Sequence, residues 1–248
     1  MRTAVVTGGG TGIGRAVADR LARDGGRIVI VGRREDVLAA TAGDLNQRHE
    51  HAVVEHVAAD LSDPEQVERA AASITAEHGV DVLVNNAGGN VSREPDLSSL
   101  AAIADGYLAN FTANVMTAVL TTEALLPAIT RPGGRIVMIT SIAGLRGSGS
   151  YGVAKAAMHG QVWDLASRLA PEEITVNAVA PGFVPDTEFW DGRRDPETVE
   201  NRAASIPIGR PGSPAEVAEA VAHLCAQGAG WTTGQILQVN GGDLYGRG

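Results

Sequence analysis

Short runs rich in β-branched residues alternate with longer helical stretches from one end of this chain to the other. The strand candidates are 3–7, 27–31, 53–57, 81–84, 134–140, 174–179 and 235–239. Several, such as Arg27-Ile28-Val29-Ile30-Val31, are apolar on consecutive positions, the mark of a strand buried on both faces. Helix candidates lie between them at 12–24, 34–48, 64–78, 98–127, 150–170 and 214–226. Two begin with a capping residue and a first-turn proline, Ser62-Asp63-Pro64-Glu65 and Ser213-Pro214-Ala215-Glu216. Parallel strands need crossovers, and those are right-handed, so the alternation predicts an α/β fold with a doubly wound parallel sheet. Hydrophobic residues make up 44% of the chain but aromatics only 4%, so the core must be built from Val, Ile, Leu and Ala. No internal repeat or linker divides the sequence, and one domain over 1–248 is expected. The least regular stretch, 181–212, follows a strand and carries Pro181, Pro185, Pro196, Pro207 and Pro211. Its position suits a substrate lid, near 183–212, over the carboxyl ends of the strands.

The first strand candidate runs into Thr7-Gly8-Gly9-Gly10-Thr11-Gly12-Ile13-Gly14 and then a helix. Glycines let backbone amides approach a pyrophosphate, whose charge a helix N-terminus favours. The spacing is T-G-x-x-x-G-x-G rather than G-x-G-x-x-G. A tight strand–helix turn needs similar residues, but the place after the first strand makes this a nucleotide signal. The second strand ends in Val31-Gly32-Arg33-Arg34-Glu35-Asp36. An acidic side chain in this region would hold the ribose diol of NAD. Two arginines stand there instead, at a helix N-terminus where an exposed cation costs about 0.3–1 kcal/mol. A 2′-phosphate accounts for Arg33 and Arg34, because arginine offers it charge and a planar fork of donors. The expected cofactor is therefore NADP; two solvated arginines tempered by Glu35 and Asp36 are the alternative.

Charge narrows the partners. With 20 Lys and Arg against 29 Asp and Glu the formal charge is −9, which disfavours nucleic acid and anionic membrane surfaces. Cys225 is the single cysteine, so no intrachain disulfide forms, as suits a reducing compartment. No secretory h-region precedes the first strand candidate and no long apolar run appears, so the cytoplasm is expected. His49, His51 and His56 fall at a helix end and a strand start without cysteine or carboxylate at ligand spacing, and no metal is expected.

Tyr151 and Lys155 are four apart and share a helix face. A free phenol has a pKa near 10, and a neighbouring ammonium favours the phenolate, which would bring it toward the working range. First-turn placement adds help from the helix dipole. Ser141 follows a strand, where its hydroxyl can reach a reacting oxygen; Asn114 falls inside a helix candidate.

Taken in order, Thr7-Gly8-x-x-x-Gly12-x-Gly14, Asp60, Asn85-Asn86-Ala87-Gly88, Asn114, Ser141, Tyr151-x-x-x-Lys155, Asn177, Pro181-Gly182 and the Thr233-Gly234 to Gly241-Gly242 ending resemble the short-chain dehydrogenase/reductase family over essentially the whole length. The resemblance implies a Rossmann-type sheet of about seven strands in the order 3-2-1-4-5-6-7. It implies a catalytic tetrad of Asn114, Ser141, Tyr151 and Lys155, with Asn114 bending its helix and holding a relay water. It assigns cofactor contacts to Gly8, Gly12, Ile13, Gly14, Asn86, Ala87 and Gly88, to Asp60 near the adenine, and to Pro181, Gly182 and Val184 beside the nicotinamide. Tyr151 and Lys155 also touch the cofactor, the lysine through the nicotinamide ribose. A homotetramer is implied too, built on helices 98–127 and 150–170. Met158, Val162, Trp163, Leu165 and Leu169 give the second of these more apolar residues than one buried face needs.

The activity implied is hydride transfer between NADP(H) and a ketone or secondary alcohol. The leading form is a ketone or 3-oxoacyl reductase acting on a small-molecule or acyl-thioester carbonyl. An alcohol or sugar dehydrogenase working oxidatively and a non-catalytic dinucleotide sensor are the alternatives; Tyr151 with Lys155 argues against the sensor. An acidic carrier protein would need a basic patch, for which Arg131, Arg135 and Arg168 are the candidates beside Pro171-Glu172-Glu173. Two features depart from the family. The stretch from Ser141 to Tyr151 is short, with Gly144, Gly147 and Gly149 to ease the turn and Ser148 and Ser150 as rival serines. The lid is slightly long before Thr187, which leaves that threonine without an assigned role.

Overall fold

The computed structural model describes residues 2–92, 96–190 and 195–246. Its sheet has seven parallel strands in the order β3-β2-β1-β4-β5-β6-β7. These are β1 (Thr3–Thr7), β2 (Gly26–Gly32), β3 (Ala52–Ala58), β4 (Val82–Asn85), β5 (Arg135–Ile139), β6 (Thr175–Pro181) and β7 (Ile236–Val239). Val5 sits in register with Val29 on one side and Leu83 on the other. The first strands are laid down outward from β1, and β4 then returns to its other side. The strand order reverses there, and the connections leaving the carboxyl ends of β1 and β4 frame a crevice.

Helices cover both faces because the central strands are apolar on both. On one face Val5, Val29, Leu83 and Ile136 pack with Met158, Val162 and Leu165. On the other, Val6, Ile28, Ile30 and Val84 pack with Val17, Leu21 and Val221. The helices are α1 (Gly12–Ala22), α2 (Glu35–Arg48), α3 (Pro64–Thr75), α4 (Leu100–Phe111), α5 (Thr117–Leu125), α6 (Ala143–Arg146), α7 (Gly149–Leu169), α8 (Pro196–Ala204) and α9 (Pro214–Cys225). The two expected caps form: Asp63 accepts from the amides of Glu65 and Gln66, and Ser213 and Glu216 close a capping box. Among the described residues no helix is long and apolar enough to cross a membrane.

Three expectations need correction. The helix predicted over 98–127 is divided: a π-helical turn, Thr112–Met116, separates α4 from α5. The cause lies in Asn114, whose Nδ2 donates to the Asn110 carbonyl one turn back and to Gly89 O, both at 2.8 Å, drawing the ladder out of α register. Second, Met158, Val162, Leu165 and Leu169 face inward and are buried in their own subunit's core, so they offer nothing to a partner. The exposed apolar surface is instead Trp163 and Val153 of α7 with Leu100, Tyr107, Leu108 and Phe111 of α4. Of its twelve residues α4 buries only Asn110.

Third, the three candidate arginines make no open basic patch. Arg131 pairs with Glu172 and Arg168 with Glu123. The buried Arg135 spends its guanidinium on the carbonyls of Gly133, Gly134, Ala226 and Gln227. His49 and His56 are likewise committed, to Asp19 and Glu35 at 2.9 and 2.8 Å.

Candidate active site

The crevice at the carboxyl ends of the strands holds a cleft of about 860 Å³. Its floor is the glycine loop between β1 and α1, drawn onto the sheet where Gly8 N donates to Val31 O at 2.7 Å. Gly8 and Gly12 sit at φ +64° and +53°, where other residues are strained. Gly14 serves a different purpose: a Cβ there would lie 2.1 Å from the Gly8 carbonyl oxygen, so only glycine lets α1 start this close to the loop. Gly8, Gly10, Thr11 and Ile13 line the cleft, whereas Gly12 and Gly14 lie behind its wall. At the head of α1, Thr11 caps with no side-chain bond to the helix, and no acidic residue stands in the first turn. A cradle of backbone amides without a competing carboxylate in that turn fits a pyrophosphate.

Asn86, Ala87 and Gly88 bind this floor to the end of β4. Thr7 Oγ1 accepts from the amides of Asn86 and Ala87, both at 2.9 Å. Asn86 Nδ2 returns donors to Thr7 O and Gly8 O. A Cβ on Gly88, at φ +147°, would lie 2.5 Å from Asn114 Oδ1. Asn114 itself is fully buried and locked to Gly89 through both ends of its amide. It shapes the cleft from behind and is absent from its wall.

The far end of the cleft is polar. Asp60 accepts from the amide and hydroxyl of Ser62, and these bonds, aided by the charge of Arg33, hold its carboxyl below the usual range. Arg33 is exposed and, among the described residues, has no carboxylate at ion-pair distance. Arg34 donates from both terminal nitrogens to Glu188, at 3.1 and 2.7 Å. This end fits the adenosine of a dinucleotide, with a cation free to meet a 2′-phosphate.

At the opposite end the end of β5 and the residues after it meet one face of α7. Tyr151 faces Ser141, whose hydroxyl acts on the phenol. Lys155 Nζ donates to Ile139 O at 2.9 Å. His159 Nε2 lies 3.2 Å from Thr140 Oγ1. Residues 151, 155 and 159 follow at one-turn spacing, so the strand end and the helix face fix each other. Ser150 turns away and accepts from Asn110 Nδ2 at 2.9 Å, while Ser148 is exposed on the cleft wall. Gly147 and Gly149 take positive φ in the shortened connection. Gly144 does not: a Cβ there would lie 2.8 Å from the backbone of Lys155 and Ala156, so it allows α6 to rest on α7.

The electrostatics differ from the simple expectation that Lys155 lowers the Tyr151 pKa. Burial pushes the Tyr151 phenol up to about 12, opposed only in part by its bond to Ser141. Desolvation brings Lys155 down to about 7. Its Nζ stands 5.9 Å from the centre of the Tyr151 ring and is spent on a carbonyl, so it favours the phenolate little in this geometry.

The segment after β6 joins residues named from the sequence with aromatic ones that motif spacing did not flag. Pro181, Gly182 and Val184 line the cleft, as does Phe183. Thr187 does too, with its Cβ 3.3 Å from where a Gly12 Cβ would stand, so the threonine lies directly over the glycine loop. Phe189 meets the Tyr151 ring at 5.5 Å, Trp190 packs edge-on against Phe183 at 5.0 Å, and Arg202 of α8 stacks on Phe183 and Trp190. Their signal in the sequence is only the gathering of aromatics in a chain that has nine.

A glycine cradle at a topological switch point, joined to a tyrosine and a buried lysine one helical turn apart, defines a dinucleotide-binding oxidoreductase. Residues 8–243 match the family model described as enoyl-(acyl carrier protein) reductase, and the chain belongs to the short-chain dehydrogenase/reductase family. It is 35% identical to 3-oxoacyl-(acyl-carrier-protein) reductase FabG of Aquifex aeolicus, covering 97% of this chain and 96% of that one. It is 37% identical to an NADPH-dependent aldehyde reductase-like chloroplastic protein of Arabidopsis thaliana, over 97% and 93%. Among solved structures, the Pseudomonas aeruginosa RhlG/NADP active-site complex superposes with a TM-score of 0.84 at 31% identity, covering 98% and 96% of the two chains.

Proposed function

We propose that this enzyme reduces a ketone carbonyl, in a 3-oxoacyl thioester or a similarly bulky substrate, with NADPH as reductant and Tyr151 as proton donor. The observation that carries the reading is the Ser141–Tyr151–Lys155 constellation at one end of a cleft whose other end presents Arg33 and Asp60. The dinucleotide, when bound, supplies the hydride. Ser141 and the Tyr151 hydroxyl hydrogen-bond the carbonyl oxygen, and Tyr151 gives it a proton. Lys155, anchored on Ile139 O, holds the nicotinamide ribose and offers the phenol a proton in turn. Asn114 acts through the π-helical turn it creates, which sets the cleft wall at Gly88 and Gly89. Gly8, Gly10, Thr11 and Ile13 carry the pyrophosphate, Asp60 the adenine side and Asn86-Ala87 the loop beneath. Pro181, Gly182 and Val184 bound the nicotinamide, with Gly12 and Gly14 shaping the loop.

The whole chain acts as one domain in the cytoplasm, with residues 183–190 and 195–212 as its lid; residues 191–194 of that stretch lie outside the described residues. The occupied state of Arg131, Arg135 and Arg168 favours free thioesters or ketones over a carrier protein docked at that surface. A panel of ketones, 3-oxoesters and acyl thioesters followed by NADPH absorbance tests the substrate class. No consumption with any 3-oxo substrate overturns the reading.

Arg33 gives the cofactor prediction. NADPH is expected to bind at least about tenfold tighter than NADH, the ratio that one lost charge-assisted hydrogen bond of about 1.5–3 kcal/mol produces. Arg33→Asp is expected to flatten or reverse it. Equal dissociation constants in the native enzyme contradict NADP as the cofactor.

The exposed face of α4 supports a homotetramer. Leu100 and Leu108 stand 86% and 64% exposed beside Tyr107 and Phe111, with Trp163 of α7 at 56%. An apolar face of this extent on an isolated subunit is costly and marks an interface. Light scattering at micromolar concentration is expected to give four subunits, and Leu108→Glu with Phe111→Glu to lower that mass. A native mass of one subunit contradicts the assembly.

A further inference from the structure

We infer that Glu188 sets the balance between the two nicotinamide dinucleotides, by holding Arg34 in competition with a 2′-phosphate. The inference rests on the NADP reading above and deepens it. The Glu188 carboxylate takes Nη1 and Nη2 of Arg34 as a bidentate pair and also accepts from Thr11 Oγ1 at 3.1 Å. Thr11 and Arg34 occupy the N-cap positions of α1 and α2, neither with a side-chain capping bond to its helix. An acidic side chain of the lid therefore sits between two helix N-termini, on the guanidinium fork, in a niche built for an anion. The residues lie 154 positions apart, so local sequence gives no hint of the pairing. Neighbouring Thr187, over Gly12, holds this part of the lid against the glycine loop.

The two arginines are thereby unequal. Arg33 meets no carboxylate among the described residues and is ready for a phosphate. Arg34 joins only by exchanging Glu188 for the phosphate, and a carboxylate left beside a phosphate dianion is repelled. NADH carries no 2′-phosphate and requires no exchange. Glu188 thus weakens NADPH selectively, and it links cofactor choice to release of the lid from the cradle. Both side chains of the pair are about half exposed, 54% and 47%, which keeps the effect moderate and sensitive to salt.

The test is a double-mutant cycle read as dissociation constants for NADPH and NADH. Glu188→Gln is expected to tighten NADPH by about three- to tenfold and to move NADH by less than about twofold. In an Arg34→Met background, Glu188→Gln is expected to move neither. Raising salt to about 0.5 M is expected to shrink the first shift. Loss of affinity for both dinucleotides on Glu188→Gln overturns the inference, because the pair would then be a strap across the bound cofactor. An unchanged NADPH-to-NADH ratio overturns it as well. The cofactor reading fails separately, through a native enzyme without NADPH preference that Arg33→Asp leaves unaltered. If Glu188→Gln creates a preference the native enzyme lacks, the competition stands and the native NADP assignment falls.

Discussion

Tyr151→Phe is expected to remove nearly all turnover, a loss of about 10²–10⁴-fold in kcat, while NADPH still binds. The change deletes one hydroxyl and its bond to Ser141 and leaves the ring that packs against Phe189. Lys155 keeps its anchor on Ile139 O, so the cofactor end of the site stays formed. A phenol raised to about 12 is protonated throughout the neutral range. It is ready to donate and poor at accepting, which suits reduction of a carbonyl. The sign for the reverse reaction follows: alcohol oxidation needs the phenolate, whose population rises with pH, so the oxidative rate is expected to climb toward alkaline pH. Stopped assays of both directions over pH 6–10 check this, together with a titration of NADPH binding to the variant. Tyr151→Phe retaining more than about a tenth of the native rate would place the proton donor elsewhere.

The sequence made the architecture legible because the information is local and periodic. Consecutive apolar residues in runs such as Ile28-Val29-Ile30-Val31 mark doubly covered strands, and each observed strand lies within a residue or two of its expected span. The strand order came from the family resemblance, since nothing local specifies which strands are neighbours. Motifs whose partners are a turn apart, such as Tyr151 and Lys155, were legible for the same reason as the strands.

Other features depend on which way a side chain points, which spacing does not encode. The excess of apolar residues on α7 reads equally well as an interface or as a core; three-dimensional packing assigns Met158, Val162, Leu165 and Leu169 to the core and leaves Trp163 outside. Arg131, Arg135 and Arg168 read as a basic patch until their partners, Glu172, four carbonyls and Glu123, are known. The π-helical turn stayed hidden within one long helical pattern, because its cause includes the long-range bonds that Asn114 exchanges with Gly89. Glu188 and Thr187 acquire meaning only when the segment after β6 is laid over the glycine loop.

Ser141→Ala is expected to cost about 10²–10³ in turnover, with little change in NADPH binding, if its hydroxyl steadies the developing oxyanion. Three serines compete for that role along a connection shorter than the family's usual one, and the geometry separates them. Ser141 stands at the end of β5, where Thr140 is pinned to Val179 and approached by His159, so its position is set by the sheet. Its Oγ accepts from Ala143 N at 3.1 Å and its hydroxyl lies beside that of Tyr151. Ser150 is turned toward Asn110, which also holds Val91 N and Asn90 Oδ1, so it braces the loop behind the cleft. Ser148 caps no amide of α7 and stands exposed at the cleft's rim. Ser148→Ala is therefore expected to be nearly silent. Ser150→Ala is expected to cost stability through the bond it removes, about 0.5–1.5 kcal/mol, and little in kcat. Steady-state kinetics of the three variants, with thermal melts to separate folding from chemistry, distinguish them. A crippled but fully folded Ser150→Ala beside an active Ser141→Ala would mean that the shortened connection has shifted the catalytic hydroxyl to the head of α7.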